Sequence, residues 1–430
     1  MSDPIEIIDA KSNKNTLVIQ RVGMKGAKGD DGAIGTGFNS VRREKIDNPI
    51  LWLFKKNKIA ETIYPNNDAS DLSILRTSEK RYIDKYGVLK VAANNELPET
   101  IDGYLIEPAG TNLVSRSEEI QNAAWTKGAD YTVTGNTLDI ADPYGTNLAT
   151  KFEAGAAPGT YAITQAITST AGFHSGSIFI YVPTQAGLND FGVKFYFGSD
   201  EESVIGLTEF DKWVRVSAPV DSVSPFDFKL GIVKNGVAKP DLIDFYLFGA
   251  QAEKSMIATS YIKTAATTAA RTGDSVTCDA YNNMPNMAEP FSFGLNVNVD
   301  SNQTSSAVSY IISFDEIGSV FASSSLVKQT DGSYLFRYAD ETNINDMAFN
   351  SPFDQIVTLV ITFDGSNLKA YMNGQEVGEF LGVTAKPISD TASKVFIGRP
   401  IGAASNQYNG NYSNFRVWDF ALTPDEVRYL

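Results

Sequence analysis

Short apolar runs separated by turn residues fill most of this chain, and the C-terminal part is the easiest to read. Residues 356–363 (Ile-Val-Thr-Leu-Val-Ile-Thr-Phe) alternate, placing Val357, Leu359, Ile361 and Phe363 on one face, which predicts a strand with one buried side. Asp364-Gly365 turns the chain into a second run, 368–372. Asn373-Gly374 follows and predicts a two-residue hairpin, since both central positions of a type I′ turn need positive φ. Residues 393–399 and 415–420 add strands. Thr423-Pro-Asp-Glu426 is a capping box with proline at the first helical position, so a terminal helical turn is expected there.

From about residue 99 to 280 the same texture recurs. Runs at 177–182, 191–197, 212–216, 226–230 and 242–248 are rich in Val, Ile, Phe and Tyr and are bounded by turn residues such as Pro183 and Gly198. So many strands at this spacing predict a sandwich or jelly roll. Their aromatic side chains lie inside strands and are expected in the core. Upstream, 50–54 and 58–64 are spaced to pair as a hairpin, and 84–91 reads as a turn at Gly87 followed by a strand. Residues 16–22 form another short strand-like run, and 281–290 reads as a linker.

One stretch has a period of three. Glycine stands at Gly23, Gly26, Gly29, Gly32 and Gly35, the spacing a collagen triple helix requires, because only glycine fits where three chains meet. Lys28 beside Gly29 and Asp30 could pair with charges on staggered neighbours. Four triplets are too few to hold three chains alone, so the run is read as a neck whose flanking β domains also trimerise; the alternative is a flexible Gly-rich linker, against which stand the strict period and the absence of Ser/Gly filler. The expected organisation is an anchoring segment (1–22), a collagen-like neck (23–37), a connecting β region (38–98), a jelly roll (99–280), the linker (281–290) and a second sandwich (291–430). The fold class is mainly β, with two antiparallel β-sandwiches after a triple-helical neck.

Composition narrows the chemistry. The net charge of −15 argues against binding nucleic acid or anionic lipid, both of which need a basic face. No run reaches the length of a membrane span, and the first residues lack the basic and apolar regions of a signal peptide. Cys278 is the one cysteine, so no intrachain disulfide is expected. His174 is the one histidine, which removes any site needing several histidines in one chain. It lies in Gly-Phe-His-Ser-Gly before a strand and is expected to be an exposed loop residue. These features suit a particle assembled in a bacterial cytoplasm and released by lysis.

Two resemblances sharpen this. Residues 72–89, Gly103 through Glu118, Ala123 through Thr126, Gln251-Ala-Glu-Lys, Thr259-Ser-Tyr-Ile262 and Ala270-Arg271 resemble a module common in tailed-phage structural proteins. It covers about residues 70–280 and implies a carbohydrate-binding jelly roll whose motif residues are structural. Lys263 stands where that family usually has proline. Residues 363–374, Ile397-Gly-Arg399 and the stretch from Gly410 through Trp418 into 421–427 resemble concanavalin A-like, laminin-G-type sandwiches. Some of those hold calcium through loop carboxylates. Asp315, Asp340 and Asp346 are candidate donors, but the chain has no Asp-rich run with calcium-loop spacing, and no cofactor is expected.

The leading expectation is a non-enzymatic homotrimeric fibre or spike of a phage virion that adheres to host-surface polysaccharide. Its other partners would be virion proteins, held through the N-terminus. The candidate glycan contacts are Asn406, Gln407, Tyr408, Asn409, Asn411 and Tyr412. Their amides can hydrogen-bond hydroxyls, and the two tyrosines can stack on a sugar face. The alternative for that stretch is a polar loop with a buried tyrosine. Two other functions stay open. One is a structural decoration of head or tail. The other is a glycan depolymerase with paired carboxylates, although the β-helix repeat of many such enzymes is missing.

Overall fold

The computed structural model describes residues 40–430, except 56–57, 63–71, 130, 155–161, 185–190, 198–200, 223–225, 235–243, 286–288, 300–307, 316–322, 332, 340–343, 351–354, 384–392 and 402–405. The neck glycines Gly23, Gly26, Gly29, Gly32 and Gly35 and the segment 1–22 lie outside the described residues. The chain divides into two compact units, Met1–Asn48 and Pro49–Leu430. The described part of the first is a helix, Ser40–Asp47, with Arg43 Nε 3.8 Å from Asp47 one turn later. A β region was expected to begin at residue 38. The unbranched side chains of Arg42, Arg43, Glu44 and Lys45 instead favour helix, and no apolar alternation sets a strand face.

Most of the second unit is antiparallel β structure. One sheet runs in the order Lys58–Thr62, Leu51–Lys55, Gly410–Trp418, Phe291–Val299, Gln355–Phe363, Leu368–Met372, Gln375–Phe380. Gly103–Ile106 pairs with the start of Gly410–Trp418, and Glu99–Thr100 pairs with Gly103–Ile106. The second sheet runs Ile344–Phe349, Tyr334–Ala339, Ser323–Lys328, Ser309–Asp315, Lys394–Ile397, Ser275–Asp279, Ser73–Leu75. Phe293, Leu295, Val297, Leu359, Ile361 and Val417 from the first sheet share a core with Ile312, Phe314, Leu326, Phe336 and Val395 from the second. Full burial of each such side chain contributes about 1.5–3 kcal/mol. The four residues predicted inward on 356–363 are buried, and Val360 and Thr362 are buried as well, so this strand is covered on both faces there.

The other sandwich has two five-stranded sheets. One is Tyr131–Thr134, Thr150–Ala154, Phe245–Glu253, Gly172–Tyr181, Trp213–Ser222, and the other is Glu201–Gly206, Phe191–Phe197, Phe226–Lys234, Ile163–Ile167, Thr126–Lys127. Its separate core includes Trp125, Phe152, Ile178, Phe195, Phe228, Phe245 and Leu247. Of the other strand aromatics expected in the core, Phe179 and Phe248 are buried in a smaller cluster with Tyr261, while Tyr181 and Trp213 are only half-buried. The chain enters this sandwich after Gly110–Asn112 and leaves it before Ala269–Arg271, and those two short strands pair with each other. The sandwich is therefore inserted into the other one. Strands from 51–62, 73–75, 103–106 and 275–279 all belong to the sheets of the C-terminal sandwich. The stretch 38–98, expected as a connecting β region, thus supplies strands to these sheets.

Local signals hold closely. Leu51–Lys55 and Lys58–Thr62 form the expected hairpin. Asn373 and Gly374 have φ of 49° and 78°, as a type I′ turn requires. Thr423 and Glu426 make both bonds of the capping box, with proline in the first turn of Pro424–Tyr429. Gly103 has φ of 126°, and a Cβ there would lie 2.5 Å from the Tyr412 carbonyl oxygen. The strand Gly103–Ile106 can approach Gly410–Trp418 only because this residue is glycine.

Candidate functional site

A buried ion network lies where the inserted sandwich leaves and rejoins the C-terminal one. Arg76, Lys80, Glu107, Arg271 and Asp274 are each buried. Asp274 accepts from Arg76 Nη1 at 2.8 Å and Lys80 Nζ at 2.7 Å, and from the Glu107 backbone N–H at 2.9 Å. Lys80 Nζ also lies 3.0 Å from Glu107 Oε2 and donates to the Leu105 carbonyl at 2.8 Å. Arg271 Nη2 stands 3.4 Å from Glu107 Oε2 and donates to the Pro108 carbonyl at 2.9 Å. Burial pushes the Glu107 carboxyl up, but Lys80, Arg271 and the bond from Ser260 outweigh it and hold the carboxyl at about 2. Charges so deep are tolerated because each is paired and hydrogen-bonded. Nearby Glu253 is buried too, and there burial raises the carboxyl above its ordinary value. Its oxygens accept from Thr259 N at 2.6 Å, Thr259 Oγ1 at 2.8 Å and Gln251 Nε2 at 2.6 Å.

One member of this network, Glu107, lines a cleft of about 330 Å³. Arg81 and Asp84 reach it from the Lys80–Ile83 hairpin, Phe179, Arg215 and Ser260 from the inserted sandwich, and Asn298, Asn409 and Asn411 from the C-terminal one. Asp84 is committed to Lys90 at 3.0 Å and to the amides of Tyr86 and Val88 at 2.9 and 3.0 Å. A second cleft, of about 530 Å³, is lined by Tyr86, Asn296, Ile356, Ser413 and Asn414. Thr100, Ile101 and Asp102 line both clefts. They stand between Glu99–Thr100 and Gly103–Ile106, so one hairpin tip is a wall of each. Ile101 is 77% exposed and Tyr86 is 78% exposed, an apolar surface beside polar amides.

The predicted contact residues separate into two groups. Tyr408 and Tyr412 are fully buried, and their rings pack against each other edge to face at 6.1 Å. Tyr408 donates to the Asn298 carbonyl at 2.6 Å and Tyr412 to the Ile311 carbonyl at 3.3 Å. Neither has a face for a sugar, which corrects their expected stacking role. The start of Gly410–Trp418 is a core strand, and its polar neighbours disguised that. Gln407 is also buried and donates to the Asp274 carbonyl at 2.6 Å, so it is a prop for the ion network. Asn406 is exposed with φ of 62° and does not line either cleft. Asn409 and Asn411 do line the first cleft, and Asn411 accepts from Thr100 Oγ1 at 2.8 Å.

Other candidates also find places. His174 is fully buried inside Gly172–Tyr181, not exposed in a loop. Nδ1 lies 2.8 Å from the Gly172 carbonyl and Nε2 lies 2.9 Å from Ser169 Oγ. The phenylalanine beside it takes the outward position of the strand, so alternation turns the imidazole inward. Cys278 is buried and is not in a disulfide. Lys263 pairs with Glu118 at the surface. Asp346 is held by Arg337 through two 2.8 Å bonds. The side chain of Asp315 and the whole of Asp340 lie outside the described residues. Among the described residues, no three His, Cys, Asp or Glu side chains are grouped to hold a metal ion, and no helix is long and apolar enough to cross a membrane. Ile101, Tyr86, Arg215 and Ser260 were not foreseen as site residues. Exposed apolar residues at a two-residue turn (101–102) and at Tyr86 were the available signal.

Residues 246–428 match the profile of the concanavalin A-like lectin/glucanases superfamily, so the C-terminal sandwich is a concanavalin A-like, laminin-G-type domain. No curated protein matches the chain. Among solved structures, the receptor-binding domain of botulinum neurotoxin C/D mosaic serotype is 16% identical over 36% of this chain and 40% of that one, with a TM-score of 0.30. Domain 4 of AbnA, a GH43 extracellular arabinanase from Geobacillus stearothermophilus in complex with arabinotriose, is 19% identical over 40% of this chain and 81% of that one, with a TM-score of 0.30. The binding domain of Paraclostridial Mosquitocidal Protein 1 is 13% identical, with 36% and 42% covered and a TM-score of 0.28. The chain thus spans 40% and 42% of the first two of these in order of similarity, and superpositions at such TM-scores carry no argument about it.

Proposed function

We propose that this protein is a non-enzymatic adhesin that binds surface glycans through the two clefts flanking Ile101-Asp102. The observation that carries the reading is the first cleft, where amides of Asn298, Asn409 and Asn411 from a concanavalin A-like lectin-fold domain face side chains of the inserted sandwich. Amides recognise hydroxyls, while exposed Tyr86 and Ile101 offer apolar surface to a sugar ring. The period-three glycines and the phage-module motifs support the finer reading of a homotrimeric virion fibre. It would be anchored to other virion proteins by its N-terminal segment and carried on a particle assembled in a bacterial cytoplasm. Three copies would turn weak single-site binding into firm adhesion.

The test is binding of the fluorescently labelled full chain to intact candidate host bacteria, before and after surface polysaccharide is stripped. Loss of binding on stripping is expected. Binding that survives stripping would overturn the glycan reading. Light scattering on the same sample should give the mass of three chains, and a single-chain mass would refute the trimer.

A further inference from the structure

Two polar atoms beside the first cleft lack the partners that burial normally demands. Arg215 spends Nη2 on Ser177 Oγ at 2.9 Å and on the Thr259 carbonyl at 2.7 Å. Its Nε–H is buried and has no hydrogen-bond partner among the described residues. Ser260 is 5% exposed, and its backbone N–H goes to Glu107 Oε1 at 2.7 Å. Its Oγ is likewise buried and makes no hydrogen bond of ordinary geometry, although it lies near enough to the Glu107 carboxylate to help hold it ionised. Both residues line the cleft. They belong to neighbouring strands of chain, since Arg215 holds the carbonyl of the residue just before Ser260.

The charges around these atoms decide what kind of ligand they suit. The cations Arg76, Lys80, Arg271 and Arg215 are matched in number by Asp274, Glu107, Glu253 and the cleft-lining Asp102. Asp84 and Glu118 have their own lysines, Lys90 and Lys263, and Arg81 has Glu79. No surplus charge is left to draw an ionised group into the cleft. A carboxylate or phosphate entering the cleft would share it with Asp102 and Asp84 as well as Arg215. A hydroxyl group suits the site better. It can accept from Arg215 Nε–H, exchange a bond with Ser260 Oγ, and donate outward to a carboxylate or amide.

We infer that the cleft at Arg215 and Ser260 seats a hydroxyl group of a neutral sugar residue, with Asn409, Asn411 and Asp102 lining the same cleft around its other hydroxyls. This deepens the adhesion reading and rests on it, and it names the ligand class as neutral polyhydroxyl rather than acidic glycan.

The experiment titrates the full chain calorimetrically with a panel of neutral gluco-, galacto- and manno-oligosaccharides and with their uronic-acid counterparts. At least one neutral sugar should bind, with affinity that changes less than about twofold on raising salt from about 0.05 to 0.5 M, because no ion pair is formed. Ser260→Ala should lower that affinity roughly tenfold, the usual effect of losing one well-placed hydrogen bond. It should move the melting temperature by no more than about 1 °C, because among the described residues Ser260 Oγ makes no hydrogen bond of ordinary geometry. Arg215→Lys, which keeps the charge and moves the donor, should weaken binding similarly, and melting would check its fold. Binding confined to the uronic acids, or neutral binding untouched by Ser260→Ala, would overturn the inference while the cell-binding result keeps the adhesion reading. Polysaccharide-dependent cell binding with no neutral sugar bound would overturn it in the same way. Loss of both would sink the two together.

Discussion

Asp274→Asn probes whether the buried network holds the two sandwiches together. The substitution keeps the shape of the side chain and removes its charge. Arg76 and Lys80, which are 1% and 0% exposed, would then lose the carboxylate lying 2.8 and 2.7 Å away. The new amide must also turn its NH2 either toward Arg76 Nη1 or toward Lys80 Nζ and the Glu107 N–H, so a donor faces a donor either way. Breaking one partner of a buried pair costs about 3–5 kcal/mol. Unfolding entropy of about 2.1 cal/mol/K per residue amounts to roughly 0.8 kcal/mol/K for the Pro49–Leu430 unit. The melting temperature should therefore fall by about 4–6 °C in differential scanning calorimetry. Asp425→Asn is the matched control. It breaks the exposed 3.0 Å pair with Arg428, and a shift no larger than about 1 °C is expected. If Asp274→Asn melted with the parent, the interior cations would not depend on Asp274, and the account of the junction would be refuted.

Acid should weaken the same region. Glu107 is held at about 2 in the fold against an ordinary value of 4.5, so its stabilisation is complete above pH 4.5 and is lost as pH falls toward 2. The loss is on the order of 3 kcal/mol, and urea midpoints measured across that window should flatten in Glu107→Gln. Gly103→Ala should destabilise by about 2 kcal/mol or more, since its Cβ would lie 2.5 Å from the Tyr412 carbonyl oxygen, and urea unfolding would register it. Asn409→Ala with Asn411→Ala should reduce binding to intact cells while circular dichroism shows the parent fold, and undiminished binding would exclude the first cleft. If the glycine run is a triple-helical neck, as proposed, Gly29→Val should lower the melting temperature, because no side chain fits a triple-helix axis. Unchanged melting and mass would make the glycine run a linker.

The features that were legible in the sequence are those decided within a few residues. The Asn373-Gly374 turn, the capping box at Thr423 and the alternation of 356–363 each depend on local φ, local bonds or local periodicity. Tyr408 and Tyr412 misled because their neighbours are asparagines. What buries them is the register of Gly410–Trp418 against Gly103–Ile106 and Phe291–Val299, and no nearby residue records that pairing. Arg76 and Lys80 sit in a charged stretch that reads as surface, yet their shared partner Asp274 is 198 and 194 residues away along the chain. The same insertion explains the site. Ile101, Arg215, Ser260 and Asn409 come from four separate segments and meet only once the inserted sandwich has left at Gly110–Asn112 and returned at Ala269–Arg271. A cleft assembled this way has walls from two sandwiches and includes Glu107 of the ion network, so its shape is set by the junction rather than by any one loop. On the proposed adhesion reading, changes to the ion network should therefore affect stability and glycan binding together.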